Sequence, residues 1–147
     1  MQKTIKHTLF FQAPPSTVWD YLTKPELMSL WLMNNDFQPV IGHDFQFNTN
    51  PVPSLDFDGI VYCKVLEIIP HKKLTYSWKC GPGKGIISID SLVVWTLLET
   101  NDGTQLTLEN SGFKEMDNFN INIYNAMNQG WLQNMQKIPA LIETAKV

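Results

Sequence analysis

YNAMNQGWLQNMQKIPALI, residues 124–142, is the stretch whose period decides the fold. Tyr124, Met127, Trp131, Met135, Ile138 and Ile142 recur at intervals of three and four, the repeat of one helix face. The segment from Asn118 to about residue 144 is therefore expected to be one long C-terminal helix, kinked at the interior Pro139. Most of what precedes it has the period of strands.

Working upstream, residues 104–112 and 89–100 are rich in β-formers and flank Asn101-Asp102-Gly103, a hairpin signal. With Asp102-Gly103 as the turn, Leu97 would face Leu108 and Trp95 would face Asn110. A second hairpin is expected from residues 57–69 and 73–80 around Pro70-His71-Lys72. Pairing Ile69 with Leu74 would set Val65 opposite Trp78, Glu67 opposite Tyr76 and Cys63 opposite Cys80. Phe45 and Phe47 alternate in another strand, followed by a loop over 48–54. Residues 3–12 alternate as a first strand. Two short helices follow it, one from Val18 with Ser16 as N-cap and one over 26–31, separated by Lys24-Pro25.

The expected architecture is α+β: a curved antiparallel sheet of about six strands wrapped around the long C-terminal helix, with two short helices after the first strand. At 147 residues the chain has the size of one domain, spanning 1–147. Its composition, 44% hydrophobic and 17% charged, suits a folded core.

Charge narrows the function classes. The 11 basic residues among Lys and Arg are all Lys, and the formal charge is −3. Without Arg there is no guanidinium fork for phosphates or guanine edges, which argues against nucleic-acid binding and phosphoryl transfer. No apolar run approaches the length of a membrane span or a signal-peptide core, so a cytoplasmic protein without membrane insertion is expected. Cys63 and Cys80 have no metal-ligand spacing and are expected to be reduced thiols. His7, His43 and His71 are scattered. Gly81-Pro82-Gly83-Lys84-Gly85 lacks the spacing of a phosphate loop, and Ser111-Gly112 lacks a nucleophile elbow. No catalytic group, metal site or cofactor is expected, Glu67 being the weak candidate for an acid or base.

The aromatic residues carry more information. Trp31 after the first strand, Phe45 and Phe47 in the next, Tyr76, Trp78 and Trp95 in the hairpins, and Phe113, Tyr124 and Trp131 near or on the long helix all fall at inward positions. They are either solid core or the walls of a pocket, with Glu67 and Asn110 as its polar groups. Met127 and Met135 suit both readings. Gly130, costly in mid-helix, implies a close approach or room for something bound.

Several motifs in order are recognisable. Ala13-Pro14-Pro15-Ser16-Thr17-Val18-Trp19-Asp20-Tyr21-Leu22 resembles the opening of the START-like (SRPBCC) superfamily, in the branch of the C-terminal domain of the activator of heat-shock-protein-90 ATPase. Pro25-Glu26-Leu27 with Trp31 resembles its next motif, with Leu32 where a second Trp is common. Gly59-Ile60-Val61 to Pro70, Lys73 to Trp78, and Gly103 to Phe113 resemble the strand motifs, Asn110 standing where His is frequent. Gly130-Trp131-Leu132 to Ile142-Glu143 resembles the closing helix.

The resemblance implies a helix-grip fold with an apolar cavity between sheet and C-terminal helix. It implies binding of a small hydrophobic or aromatic ligand, walled by Trp31, Phe45 and Phe47, by Tyr76, Trp78, Trp95 and Leu108, and by Tyr124, Met127, Trp131 and Met135. Glu67 and Asn110 would orient the ligand's polar end. Two alternatives stay open. One is a co-chaperone-like interaction protein, although 147 residues leave no room for the N-terminal chaperone-binding domain of the full eukaryotic activator. The other is a polyketide cyclase- or dehydratase-like enzyme using Glu67. A monomer and a dimer are both compatible with the sequence.

Overall fold

The computed structural model describes residues 3–113 and 118–145. Seven strands form one curled antiparallel sheet. They are β1 (Lys3–Phe11), β2 (Asn34–Asn35), β3 (Asp44–Asn48), β4 (Ile60–Ile69), β5 (Lys73–Cys80), β6 (Ile89–Thr100) and β7 (Gly103–Phe113). Their order is β1-β7-β6-β5-β4-β3-β2. The seventh strand, beyond the six expected, is the two-residue β2, too short to carry a period. Helices α1 (Pro15–Thr23) and α2 (Pro25–Trp31) connect β1 to β2. Helix α1 begins with Pro15 after an N-cap at Pro14, so Ser16 lies inside the helix and does not cap it.

Alternation places Val61, Cys63 and Val65 of β4, Tyr76, Trp78 and Cys80 of β5, Val93, Trp95 and Leu97 of β6, and Leu106, Leu108 and Asn110 of β7 on buried positions. Both hairpin registers differ from the expected ones. In β6–β7 the closing pair is Thr100↔Gly103, giving a turn at Asn101-Asp102, so Leu97 faces Leu106, Trp95 faces Leu108 and Val93 faces Asn110. The displacement is two residues, which conserves the faces. In β4–β5, His71 takes a left-handed conformation (φ 65°) and a three-residue loop closes on Ile69↔Lys73. A bulge between Val65 and Glu67 adds a further shift, so Val65 faces Tyr76 and Glu67 faces Thr75. Cys63 pairs with Phe45 and Cys80 with Ile89, and both thiols are free and buried.

The C-terminal segment is two helices instead of one kinked helix. Helix α3 (Asn118–Met135) ends in a turn at Gln136-Lys137, and α4 (Ile138–Ala145) restarts with Pro139 in its first turn. A proline in the first turn gives up only a hydrogen bond that the turn would not make, whereas in mid-helix it would break one. Among the described residues, no helix is long and apolar enough to cross a membrane.

Candidate functional site

A layer of aromatic rings fills the sheet's concave side. Phe37, Phe45 and Phe47 follow one another at centroid separations of 5.0 and 5.4 Å, and Phe47 leads to Trp78 at 5.3 Å. Trp78 meets Trp131 of α3 at 4.9 Å, and Trp131 meets Trp95 edge-on at 5.6 Å. Trp95 in turn packs on Trp31 at 5.8 Å. Each of these contacts adds about 0.5–1.5 kcal/mol to ordinary area burial.

The buried polar atoms of this layer are paired. Trp31 Nε1 donates to the Tyr21 carbonyl (2.8 Å) and Trp95 Nε1 to the Tyr76 hydroxyl (3.0 Å). Burial pushes the pKa of Tyr76 well above its ordinary value, so the hydroxyl stays neutral. Asn110, fully buried, accepts from Trp131 Nε1 (3.1 Å) and donates to Ser91 Oγ (3.1 Å) and the Leu92 carbonyl (3.0 Å). Ser91 donates onward to the Trp78 carbonyl (3.0 Å). Asn110 thus holds Trp131, and with it α3, to the same strands that carry Trp78.

In front of this layer lies a cavity of about 450 Å³, within the size range of small-molecule sites. Its helical wall is Ile123, Ala126, Met127, Gly130, Trp131 and Asn134, spaced three, one, three, one and three residues apart along one face of α3. Opposite stand Val61, Trp78, Cys80 and Ile89 from the sheet, and Leu32 and Met33 from the segment after α2. The connection from β3 to β4 covers the remaining side with Val52, Leu55 and Phe57. That flap is closed on itself by paired backbone bonds between Val52 and Phe57 (2.8 and 3.3 Å) and by a 3-10 turn over Pro53–Leu55. Gly59 at its base has φ +91°, and a Cβ there would stand 2.5 Å from the Thr49 carbonyl oxygen. Only glycine fits without moving the flap.

The cavity is apolar, with Thr49, Asp56, Ser88 and Asn134 as its hydrogen-bonding side chains. Within the described residues the Thr49 hydroxyl and the Asn134 carboxamide make no hydrogen bond. Burial, with the charge of Asp58 adding to it, pushes the Cys80 thiol up to about 11, which keeps it protonated near neutral pH. A Cβ on Gly130 would meet nothing within 4 Å, so this glycine leaves space and makes no close approach. Among the described residues, no three His, Cys, Asp or Glu side chains stand together as metal ligands.

Of the residues expected at the site, Trp78, Met127 and Trp131 line the cavity. Trp31, Phe45, Phe47, Tyr76, Trp95, Leu108 and Met135 are at most 2% exposed and form the solid core behind it. Asn110 is saturated by its own hydrogen bonds and acts on the cavity through Trp131. Tyr124 lies on the side of α3 facing β1, packed edge-on against Phe113 (5.4 Å), its hydroxyl donating to the Thr4 carbonyl (3.3 Å).

Glu67 stands away from the cavity. The bulge at Leu66 reverses the parity of β4, and Glu67 pairs instead with Lys73 (3.0 Å) and accepts a long bond from Thr75 Oγ1 (3.4 Å). An acid–base role inside the cavity thereby loses its candidate. The residues that sequence reading missed are the flap's Val52, Leu55 and Phe57, scattered among prolines without a period, and Ile123, Ala126 and Asn134, which form one stripe of α3 with the expected Gly130. That stripe is the neighbour of the expected helical seam, whose Met127 and Trp131 complete the helical wall.

The family model described as Activator of Hsp90 ATPase homolog 1-like protein matches residues 12–143. Protein MLL2253 from Mesorhizobium loti is 32% identical, with 97% of this chain and 98% of that chain covered and a TM-score of 0.83. CalU16 from Micromonospora echinospora is 23% identical, covering 96% of this chain and 76% of that one, with a TM-score of 0.74. The Aha1 dimer from Colwellia psychrerythraea is 18% identical with a TM-score of 0.73, and 93% of each chain is covered. No curated protein matches.

Proposed function

The chain belongs to the Activator of Hsp90 ATPase homolog 1-like protein family, and on that premise we propose that its cavity binds a small, predominantly apolar molecule. The observation that carries this reading is the space itself: about 450 Å³ walled by Trp78, Trp131, Met127 and the flap, with a glycine where the helix could have filled it. A guest gains by leaving water against these walls and by bonding to Thr49 or Asn134.

Thermal shift across a panel of lipids, quinones, flavonoids and polyketides tests the reading. A ligand at 100 times its Kd stabilises the fold by about 2.7 kcal/mol, which corresponds to about 5–10 °C for a chain of this size. Gly130→Leu projects a side chain into the open space. It is expected to leave stability unchanged or raised by up to about 1 kcal/mol, Leu being the better helix former, while the shift disappears. No shift from any compound, or a full shift in Gly130→Leu, would overturn the proposal.

A further inference from the structure

The polar groups that the cavity offers a guest are neutral or negative. Asp56 is the sole charged side chain in the lining, and it is exposed at the mouth. Among the described residues it has no ion-pair partner: the lysines in ion pairs are held by Asp20, Asp44, Glu67, Asp90 and Glu109. Lys79, between Trp78 and Cys80, is held by Asp90, and of the lysines outside these ion pairs the nearest in sequence to the lining are Lys84, in the loop between Cys80 and Ser88, and Lys137, just past Asn134. Both are exposed and neither lines the cavity. The chain holds no Arg at all. Behind the wall a second carboxylate, Asp58, accepts from the Ile60 backbone N–H (3.1 Å), and its charge reaches Cys80.

A carboxylate or sulfonate entering these apolar walls would lose its water without meeting a cation, and would meet Asp56 at the entrance. A cation is treated differently. Asp56, exposed and without an ion-pair partner among the described residues, offers it a direct partner of opposite charge.

We propose that the cavity selects neutral and cationic aromatic ligands over anionic amphiphiles such as fatty acids, with Asp56 as the residue that discriminates charge. This rests on the ligand-binding reading above and narrows it to a chemical class.

Three probes on one scaffold separate the two. Naphthalen-2-ylmethylamine, naphthalene-2-methanol and 2-naphthoate present an ammonium, a neutral hydroxyl and a carboxylate at neutral pH, and calorimetric titration gives each Kd. The amine is expected to bind about two- to fivefold tighter than the alcohol, and the carboxylate about tenfold weaker than the amine. Raised salt should narrow both gaps, since Asp56 faces solvent. Asp56→Asn keeps a residue that tolerates the left-handed backbone at this position (φ 52°). It is expected to bring the amine to the affinity of the alcohol and leave the alcohol unchanged. Naphthoate binding as tightly as the alcohol, or an amine advantage that survives Asp56→Asn, would overturn the charge selectivity while leaving a ligand site in place. No binding by any of the three would overturn both.

Discussion

Asn110→Leu tests whether the cavity wall is held by the polar chain behind it. The substitution keeps the approximate volume of a side chain with no solvent exposure while removing its three hydrogen bonds. Ser91 keeps its bond to the Trp78 carbonyl and the Leu92 carbonyl loses a partly buried donor, but the buried Trp131 Nε1 is left without its acceptor. A buried orphan costs about 1–3 kcal/mol, so the variant should lose about 3 kcal/mol, a large share of a typical folding free energy of about 5–15 kcal/mol. Trp131→Phe alone, which orphans Asn110 Oδ1 and trims an indole to a phenyl, should lose about 2–3 kcal/mol. In the double variant neither the indole N–H nor its acceptor remains, so the sum of the single losses should exceed the double loss by about 1–2 kcal/mol. Urea denaturation of the four proteins measures this, with the slopes checked for constancy. Additivity within about 0.5 kcal/mol would refute the claim that Asn110 fixes Trp131. The same cycle read in ligand shift should show Asn110→Leu weakening binding despite lying outside the cavity lining.

Two further outcomes follow from the same geometry. Cys80 has its pKa raised from 9.0 to about 11, so the folded chain holds that proton longer than the unfolded chain does and stability should fall as pH rises from 9 toward 11. Cys63 and Tyr76 shift in the same direction by burial, so denaturation across this window should show Cys80→Ala with a shallower decline than wild type, by up to about 2 kcal/mol, and not a flat one. Parallel declines would contradict the burial of the thiol. Glu67→Gln removes a half-exposed ion pair with Lys73 and should cost less than about 1 kcal/mol with unchanged Kd for the naphthalene probes, whereas a lost Kd would return Glu67 to the cavity.

The alternation of Ile5 through Phe11, of Phe45 with Phe47 and of Val93 with Trp95 and Leu97 was enough to determine strands and their buried faces, because parity is a property of the local chain. The three- and four-residue spacing from Tyr124 to Ile142 likewise determined a C-terminal helical segment. What the sequence left open were the features set by distant partners. Whether Gly103 turns the hairpin or runs in the strand depends on β1, since a Cβ there would collide with the Phe11 carbonyl, and this moved the β6–β7 register by two. The bulge beside Leu66 depends on the loop before β3, whose Gly42 and His43 hydrogen-bond both backbone groups of Val65 (2.8 and 3.0 Å), and it sent Glu67 to the other face. The cavity's position was a tertiary decision of the same kind. Tyr76 and Trp95 have the same local pattern as Trp78, and only the meeting of α3, the flap and the end of the sheet made one set of aromatics core and left the other beside empty space, because a void belongs to the surfaces that fail to meet and to no segment alone.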